Sequence, residues 1–472
     1  MSFFRSVFWI FFDKVFLVLL STISFFIFAL YLEPSELGKG VIYIAIPGLI
    51  AALFSGMIES PLVSKFKVEE GEYSTVLWFA LGLSLIIFTV IMLIGCFVLD
   101  NTTDVFMLGI ASSSIVFILA SRPFLAKLRR SHDFKSIALR AFLGKCIGFG
   151  GGVALALNGY GAFAIVVQFM LQELVSLLVM AFCMKEIIQF SFRRELLSNT
   201  LKMGRYLSIT ALSNSIIGKG LPLTLGAVSG AESVGLFNFA NRIVALPRDA
   251  VFNGINSYAL PSFSRIQSDK SVLTKQFSSS NRLSSFLVFP LFFGLAVTAP
   301  LIVNTIFGSK WDDGIVYLQL LALIAVFRAM YLFHSALFLV LKVPNIITKK
   351  ELVTAIVSLS LVLLYGEEFG AGAGVLAMGV YTITCFFWNI LAVKKVIDYP
   401  FKTLISDFLP ALSISLLMVL CVYIVESLLY SQSAILKLSA SIASGAFVYI
   451  TALYAIEHKN VNALFYRRFK KS

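Results

Sequence analysis

Seven basic side chains interrupt stretches of this sequence that are otherwise apolar: Lys14, Arg140, Lys145, Lys219, Arg242, Arg248 and Arg328. Four acids, Asp13, Glu59, Glu173 and Asp249, do the same. A charge in such a setting costs free energy unless it lines water or meets a partner, which makes each a candidate for binding or transport. At about 1.5 Å of rise per residue, Lys219, Arg242 and Arg328 stand near the middle of their stretches. They are too deep for their side chains to snorkel to an interface. The positive excess suits an anion, a phosphate or diphosphate in particular. Arg248 lies nearer an end, where snorkelling is an equal alternative. The rival reading for the whole set is ion pairing between helices, and Asp249 can neutralise Arg248 beside it or Arg242 seven residues away.

Lys14 and Lys145 are the corresponding bases of the first half, whereas Arg140 reads as interfacial. Asp13 and Lys14 diverge by about 100° as helix neighbours and cannot share a target. Glu173 has no base one turn away, so it could bind a proton or cation in a coupling cycle, or pair with Lys145 across helices. Asp249 and Asp13 are the other candidate coupling acids. Glu59 lies near an end and reads as ordinary. His334 reads as a buried imidazole satisfied by an interhelical hydrogen bond. Neither a Gly-rich phosphate loop, a metal cluster nor a Ser/His/Asp set is present. No cofactor is expected, apart from H+ or Na+ as a coupling ion.

The elements that must position these residues follow from composition. Of 472 residues, 59% are hydrophobic and 13% charged, against roughly 45–50% and about 25% for a soluble domain. Apolar runs long enough to cross a bilayer fall at 7–32, 38–64, 75–99, 104–122, 136–158, 161–184, 205–229, 233–257, 283–307, 313–341, 351–366, 372–393, 404–429 and 437–456. These are 14 spans in an all-α polytopic membrane protein. The polar connections are too short for a soluble catalytic domain, and the first apolar run is long enough to remain as a span rather than a cleaved leader. The five cysteines sit in apolar stretches without metal-like pairing and read as lipid- or core-facing fillers.

The net charge of +13 suggests nucleic acid until its distribution is read. Alternate connections hold 28 Lys and Arg on one side and three (Lys39, Lys310, Lys437) on the other. The positive-inside rule makes the first side cytoplasmic, with both termini there. Basicity is then topology, with Lys127–Arg130 and Arg467–Lys471 as anchors to anionic membrane lipid, and no nucleic acid is required.

The chain also resembles itself. Leu32-Glu-Pro-Ser-Glu-Leu-Gly38 matches Ser229-Gly-Ala-Glu-Ser-Val-Gly235 at a shift of 197, and Asn158-Gly-Tyr-Gly-Ala162 matches Phe369-Gly-Ala-Gly-Ala373 at 211. Six spans fit this shift, so both copies enter the membrane in the same sense. Two pseudo-symmetric six-helix lobes follow, at 1–200 and 201–400, with two extra helices and a basic tail at 401–472.

Several stretches carry a family resemblance: Leu32–Gly38, Ser121-Arg-Pro-Phe-Leu-Ala-Lys-Leu-Arg-Arg130 with Asp133-Phe-Lys135, Gly235-Leu-Phe-Asn-Phe-Ala-Asn-Arg242 with Leu246-Pro247, Leu260–Ile266 and Phe307-Gly-Ser-Lys-Trp311. In this order and spacing the chain resembles the Wzx/WzxC-type flippases of the multidrug/oligosaccharidyl-lipid/polysaccharide exporter superfamily, with MurJ and the MATE antiporters. The resemblance covers about three quarters of the chain and leaves the last two spans without a matching motif. It implies a transporter, not an enzyme, that carries an undecaprenyl-diphosphate-linked oligosaccharide to the outer leaflet of the bacterial inner membrane. O-antigen, capsule or exopolysaccharide assembly would follow, with polymerase and chain-length machinery as partners. Of the candidate bases, only Arg242 falls inside a matched motif. Leu221 departs from the pattern, standing where relatives often carry an acid. A cation-coupled MATE-like antiporter is the first alternative, disfavoured by the positive sign of the intramembrane charge. A polytopic enzyme of polysaccharide assembly is the second, disfavoured by the short outer loops.

Overall fold

The computed structural model describes the backbone of residues 3–469 apart from 70, 344 and 398. It describes side chains from 16 to 456, apart from those three and 206, 207, 209–214, 216, 256 and 348. The described residues form helices and turns only. The helices are α1 Phe3–Tyr31, α2 Pro34–Ser64, α3 Glu72–Val98, α4 Thr102–Arg130, α5 Phe134–Leu157 and α6 Phe163–Cys183. Next comes α7, which starts as Arg194–Ser215, widens into a π-turn at Ile216–Gly220 and continues to 229. Gly230, at φ 80° and ψ 175°, breaks the chain before α8 (231–264). The series ends with α9 Lys270–Phe307, α10 Gly314–Val340, α11 Asn345–Phe369, α12 Ala371–Val396, α13 Phe401–Leu428 and α14 Ala434–Phe469. The expected count of 14 is met. Among the described residues, eleven of these helices are long and apolar enough to cross a membrane; α7 with Lys219, α8 with Arg242, Arg248 and Asp249, and the described part of α1, Phe16–Tyr31, are not among them.

Local signals set the helix starts. Glu33 and Glu36 form a capping box at α2, and Asn101 accepts the Thr103 amide at 2.9 Å to open α4. Asp269 accepts the amides of Ser271 and Val272 at α9. Large apolar side chains remain exposed along the helices, among them Phe97, Phe182, Leu364 and Leu428. Apolar surface on this scale belongs against lipid. The chain is a multi-pass membrane protein.

Two compact units form, 1–238 with 362–371, and 239–361 with 372–472. In the first, α2, α3 and α4 enclose Ile58, Leu62, Val76, Ala80, Ile115, Leu119 and Ala126. Gly144, Gly148 and Gly152 line the face of α5 that meets α6, where added Cβ atoms would come within 2.7–2.9 Å of the other backbone or of Gln168. Such small-residue faces let transmembrane helices pack closely. In the second unit, α9 packs with α10, α13 and α14, and the Tyr449 hydroxyl donates to the Phe286 carbonyl at 2.8 Å.

The internal repeat recurs in three dimensions inside the first unit. A Cβ on Gly38 would lie 1.7 Å from the Ala231 carbonyl oxygen, and one on Gly235 would lie 1.8 Å from the Pro34 oxygen. Pro34 and Ala231 are 197 apart, as are Gly38 and Gly235, so the contact is reciprocal. Gly161 and Gly370 both adopt φ 53°, and their Cβ positions face Glu36 and Ser233, again 197 apart. Gly370, rather than Gly372, is therefore the structural counterpart of Gly161: the turn register differs by two from the sequence match.

Candidate functional site

In the second unit, α8, α10 and α12 border a small pocket of about 10 Å³, room for about one water, lined by Asn241, Arg248, Ile324, Arg328, Met378 and Thr382, among others. Arg248 and Arg328 bring two guanidiniums to one small space. Arg248 donates to Asp249 at 3.0 Å, but the Asp249 side chain is 59% exposed and that of Arg248 only 16%. Among the described residues Arg328 has no ion pair. One exposed carboxylate thus meets Arg248, and Arg328, half-buried, lines the same pocket. Such a site favours an anion, because an incoming negative charge relieves the repulsion between the two guanidiniums where the dielectric is low. Guanidinium forks match phosphate oxygens two at a time.

Arg242, a turn and a half earlier on α8, is half-buried and lies within Coulombic reach of Arg248 and Asp249. Asp249 makes its hydrogen bond to Arg248, and no ion pair to Arg242 occurs among the described residues. Lys219 belongs to the first unit. It sits in the π-turn of α7, its methylenes against Gly48 of α2. Lys145 and Glu173 are half-buried in α5 and α6, and Glu173 accepts from Gln172 at 3.3 Å. Arg140 donates to Ser176 at 2.7 Å. The side chains of Asp13 and Lys14 lie outside the described residues. Among the described residues, the candidate bases Arg248 and Arg328 line one pocket together.

Other charges went unread in the sequence. Lys350 and Glu351 fall at the edge of the apolar run beginning at 351, yet α11 starts at Asn345 and Lys350 is 2% exposed. Its Nζ lies 3.2 Å from Glu351 and 5.8 Å from the centre of the Tyr331 ring. Tyr381 of α12 donates its hydroxyl to Glu351. The Pro344-Asn345 pair is the helix-start signal that would have included them. His334 differs from expectation too: fully buried, it has no hydrogen-bond partner at either ring nitrogen among the described residues and lies edge-on to Phe277 at 5.1 Å.

Beside the charged pocket runs an apolar groove of about 480 Å³ between α9, α13 and α14, lined by Leu287, Leu291, Leu295, Met418, Tyr449 and others. Pro247 of α8 borders it, one residue from Arg248 in the pocket.

The fourteen helices have the fold of the lipid II flippase MurJ and of a MATE family transporter of the MOP superfamily. The structure overlays on the lipid II flippase MurJ in an inward closed conformation with a TM-score of 0.78, at 18% identity over 96% of this chain and 100% of that one. It also overlays on an inward-facing multidrug resistance MATE transporter with a TM-score of 0.59, at 18% identity over 80% and 95%. The chain belongs to the polysaccharide biosynthesis protein family, whose pattern matches residues 27–316. Relatives include the succinoglycan biosynthesis transport protein ExoT of Rhizobium meliloti (strain 1021), 24% identical over 63% of this chain. The lipopolysaccharide biosynthesis protein WzxC of Escherichia coli (strain K12) is 22% identical over 67% of this chain. The matches span 61% and 65% of those relatives' own lengths, less than two thirds of either. The Wzx-type resemblance in the motifs is borne out.

Proposed function

We propose that this protein moves an undecaprenyl-diphosphate-linked oligosaccharide from the inner to the outer leaflet of a bacterial cytoplasmic membrane by alternating access. Both termini then lie in the cytoplasm. The observation that carries this reading is the change of chemistry between adjacent residues of α8: Pro247 borders the apolar groove and Arg248 the cationic pocket. A polyprenyl diphosphate has the same junction, a hydrocarbon chain joined directly to two phosphates. Burial of the chain contributes about 25 cal/mol per Å² of apolar surface, and the guanidiniums meet the phosphates. A water-soluble cationic cargo would use neither feature. The names of MurJ, ExoT and WzxC refer to lipid II, succinoglycan and lipopolysaccharide, and so support the same substrate class. Polymerase and chain-length proteins, which consume repeat units on the outer face, are the expected partners.

The test is deletion of the gene followed by lipid analysis. Lipid-linked repeat units should accumulate in the inner leaflet and be cleared by the wild-type chain. Arg248→Ala and Arg328→Ala should each lower flipping roughly 10- to 100-fold, the worth of a charge-assisted hydrogen bond. Normal polymer with no accumulated intermediate would overturn the reading.

A further inference from the structure

A second site lies in the first unit, on the side of the helices whose connections carry most of the Lys and Arg. Residues 184–193, between α6 and α7, run as a strap across the start of α3. The Ser74 hydroxyl lies 2.7 Å from the carbonyl oxygens of both Ile187 and Gln189. That of Thr75 donates to the Ser191 carbonyl at 3.0 Å and accepts the Arg193 amide at 3.2 Å. Met184 and Ile187 are buried, whereas Ile188, Phe190 and Phe192, every second residue, are exposed, Phe190 to 79%. A strap tied down in this way cannot turn those three side chains inwards, so they call for an apolar neighbour outside the chain.

That neighbour is the bilayer surface. From Val76 to Val98, α3 is largely apolar, about 34 Å at 1.5 Å per residue, close to the ~30 Å of the hydrocarbon core. Trp78 therefore stands where α3 enters the hydrocarbon, the depth at which aromatic anchors gather. Phe190 lies edge-on to Trp78 at 5.5 Å, which sets the strap at the same level. At the end of α6, the Lys185 Nζ is 5.0 Å from the centre of the exposed Phe182 ring, a base beside an interfacial aromatic.

Between the strap and the connection from α2 to α3 is a pocket of about 590 Å³, and four charged residues line it: Glu69, Lys127, Glu186 and Arg193. Lys127 and Glu186 neutralise one another at 2.6 Å, so Lys127, read in the sequence as part of a lipid anchor, has its partner within the chain. Glu69 and Arg193 are exposed, and neither has an ion pair among the described residues. The pocket thus offers one free carboxylate and one free guanidinium, with no net charge. A purely anionic headgroup would meet Glu69 as well as Arg193, and a quaternary ammonium has no proton to donate to Glu69. A phosphate joined through two carbons to a primary ammonium matches both groups, each through a charge-assisted hydrogen bond.

We propose that this pocket binds the headgroup of an ethanolamine phospholipid, with the phosphate on Arg193, the ammonium on Glu69 and the acyl chains beside Ile188, Phe190 and Phe192. The bound lipid fastens the strap to the leaflet, whatever cargo the protein carries.

The experiment is native mass spectrometry of the purified, delipidated full-length protein in detergent, titrated with dioleoyl phosphatidylethanolamine, phosphatidylcholine or phosphatidylglycerol. Wild type should bind its first ethanolamine lipid about fivefold tighter than either of the others, the size expected of one exposed ion pair. Glu69→Gln should bring the ethanolamine lipid level with the choline lipid. Arg193→Gln should weaken those two by the same factor, because both carry the phosphate. The wild-type comparison tests the headgroup choice without any variant. Equal binding of the three lipids by wild type, or tightest binding of phosphatidylglycerol, overturns the proposal. So does an ethanolamine preference that survives Glu69→Gln, which would put the lipid elsewhere on the protein.

Discussion

Glu59 shows that a charge within an apolar run can be structural. It is 6% exposed, with Arg122 at 3.1 Å and Arg129 at 2.5 Å. Arg130 completes the arrangement by donating to the carbonyls of Leu62, Val63, Lys65 and Phe66, where α2 runs out of its own donors. The basic residues of the Ser121–Arg130 motif thus clasp the end of α2. Glu59→Gln should leave two guanidiniums without their counter-ion and lower stability by roughly 3 kcal/mol. Part of that loss should return in the Glu59→Gln/Arg122→Gln double variant, read by thermal unfolding in detergent; a neutral Glu59→Gln would refute the clasp. Lys127 and Glu186 are the solvent-facing contrast. The Lys127 hydrogen bond at 2.6 Å holds the Glu186 carboxyl below the usual carboxylate range. Since the folded form holds its proton less tightly than the unfolded one, its contribution is present above the ordinary value near pH 4.3 and vanishes as pH falls through the lowered one. Both groups are largely exposed, so Glu186→Gln should cost under about 1 kcal/mol at pH 7, and the cost should shrink as pH falls below the ordinary carboxylate range. Composition and depth raised Glu59 and Arg248 alike as intramembrane charges. What separates them, two close guanidiniums per buried carboxylate against one exposed carboxylate for two guanidiniums, is set by residues more than 60 positions apart and by neighbouring helices.

At the scale of the element, apolar run length places every helix but misjudges its ends, and the errors have one cause. Charges in terminal helical turns read as loop, so the run ending at 122 omits the last two turns of α4, and the run beginning at 351 omits the first turn and a half of α11. The first omission hides the α2 clasp, and the second hides Lys350. The π-turn that carries Lys219 and the Gly230 break after it are backbone events with little hydropathy signal. Close packing was better encoded, because Gly144, Gly148 and Gly152 recur every four residues on one face of α5. Gly148→Leu should wedge α5 from α6 and cost about 1–3 kcal/mol. Gly150→Leu, with nothing within 4 Å of its Cβ position, should be nearly silent in the same thermal assay. Equal effects would mean that this face does not set the spacing.

The repeat governs the whole molecule, and its clearest physical trace is the meeting of equivalent residues. Gly38 and Gly235 are equivalent in the internal sequence match, and a side chain on either would run into the backbone of the other's helix. A contact whose two halves are equivalent has the logic of a two-fold interface, in which residue i meets j and j meets i. Two consequences can be measured. Gly38→Val and Gly235→Val should lower stability by similar amounts, about 1–3 kcal/mol each, because each forces the same two backbones apart. The double variant should cost clearly less than the sum, since the first side chain has already opened the gap that the second needs. Gly161→Val and Gly370→Val, both at φ 53°, form a second equivalent pair. Gly161→Val should be the worse of the two, because its Cβ would meet Glu36 at 2.4 Å, whereas that of Gly370 meets Ser233 at 3.1 Å. Full additivity of Gly38→Val and Gly235→Val would show that the two glycines act at separate contacts, and the three-dimensional argument for the duplication would then rest on the turns alone.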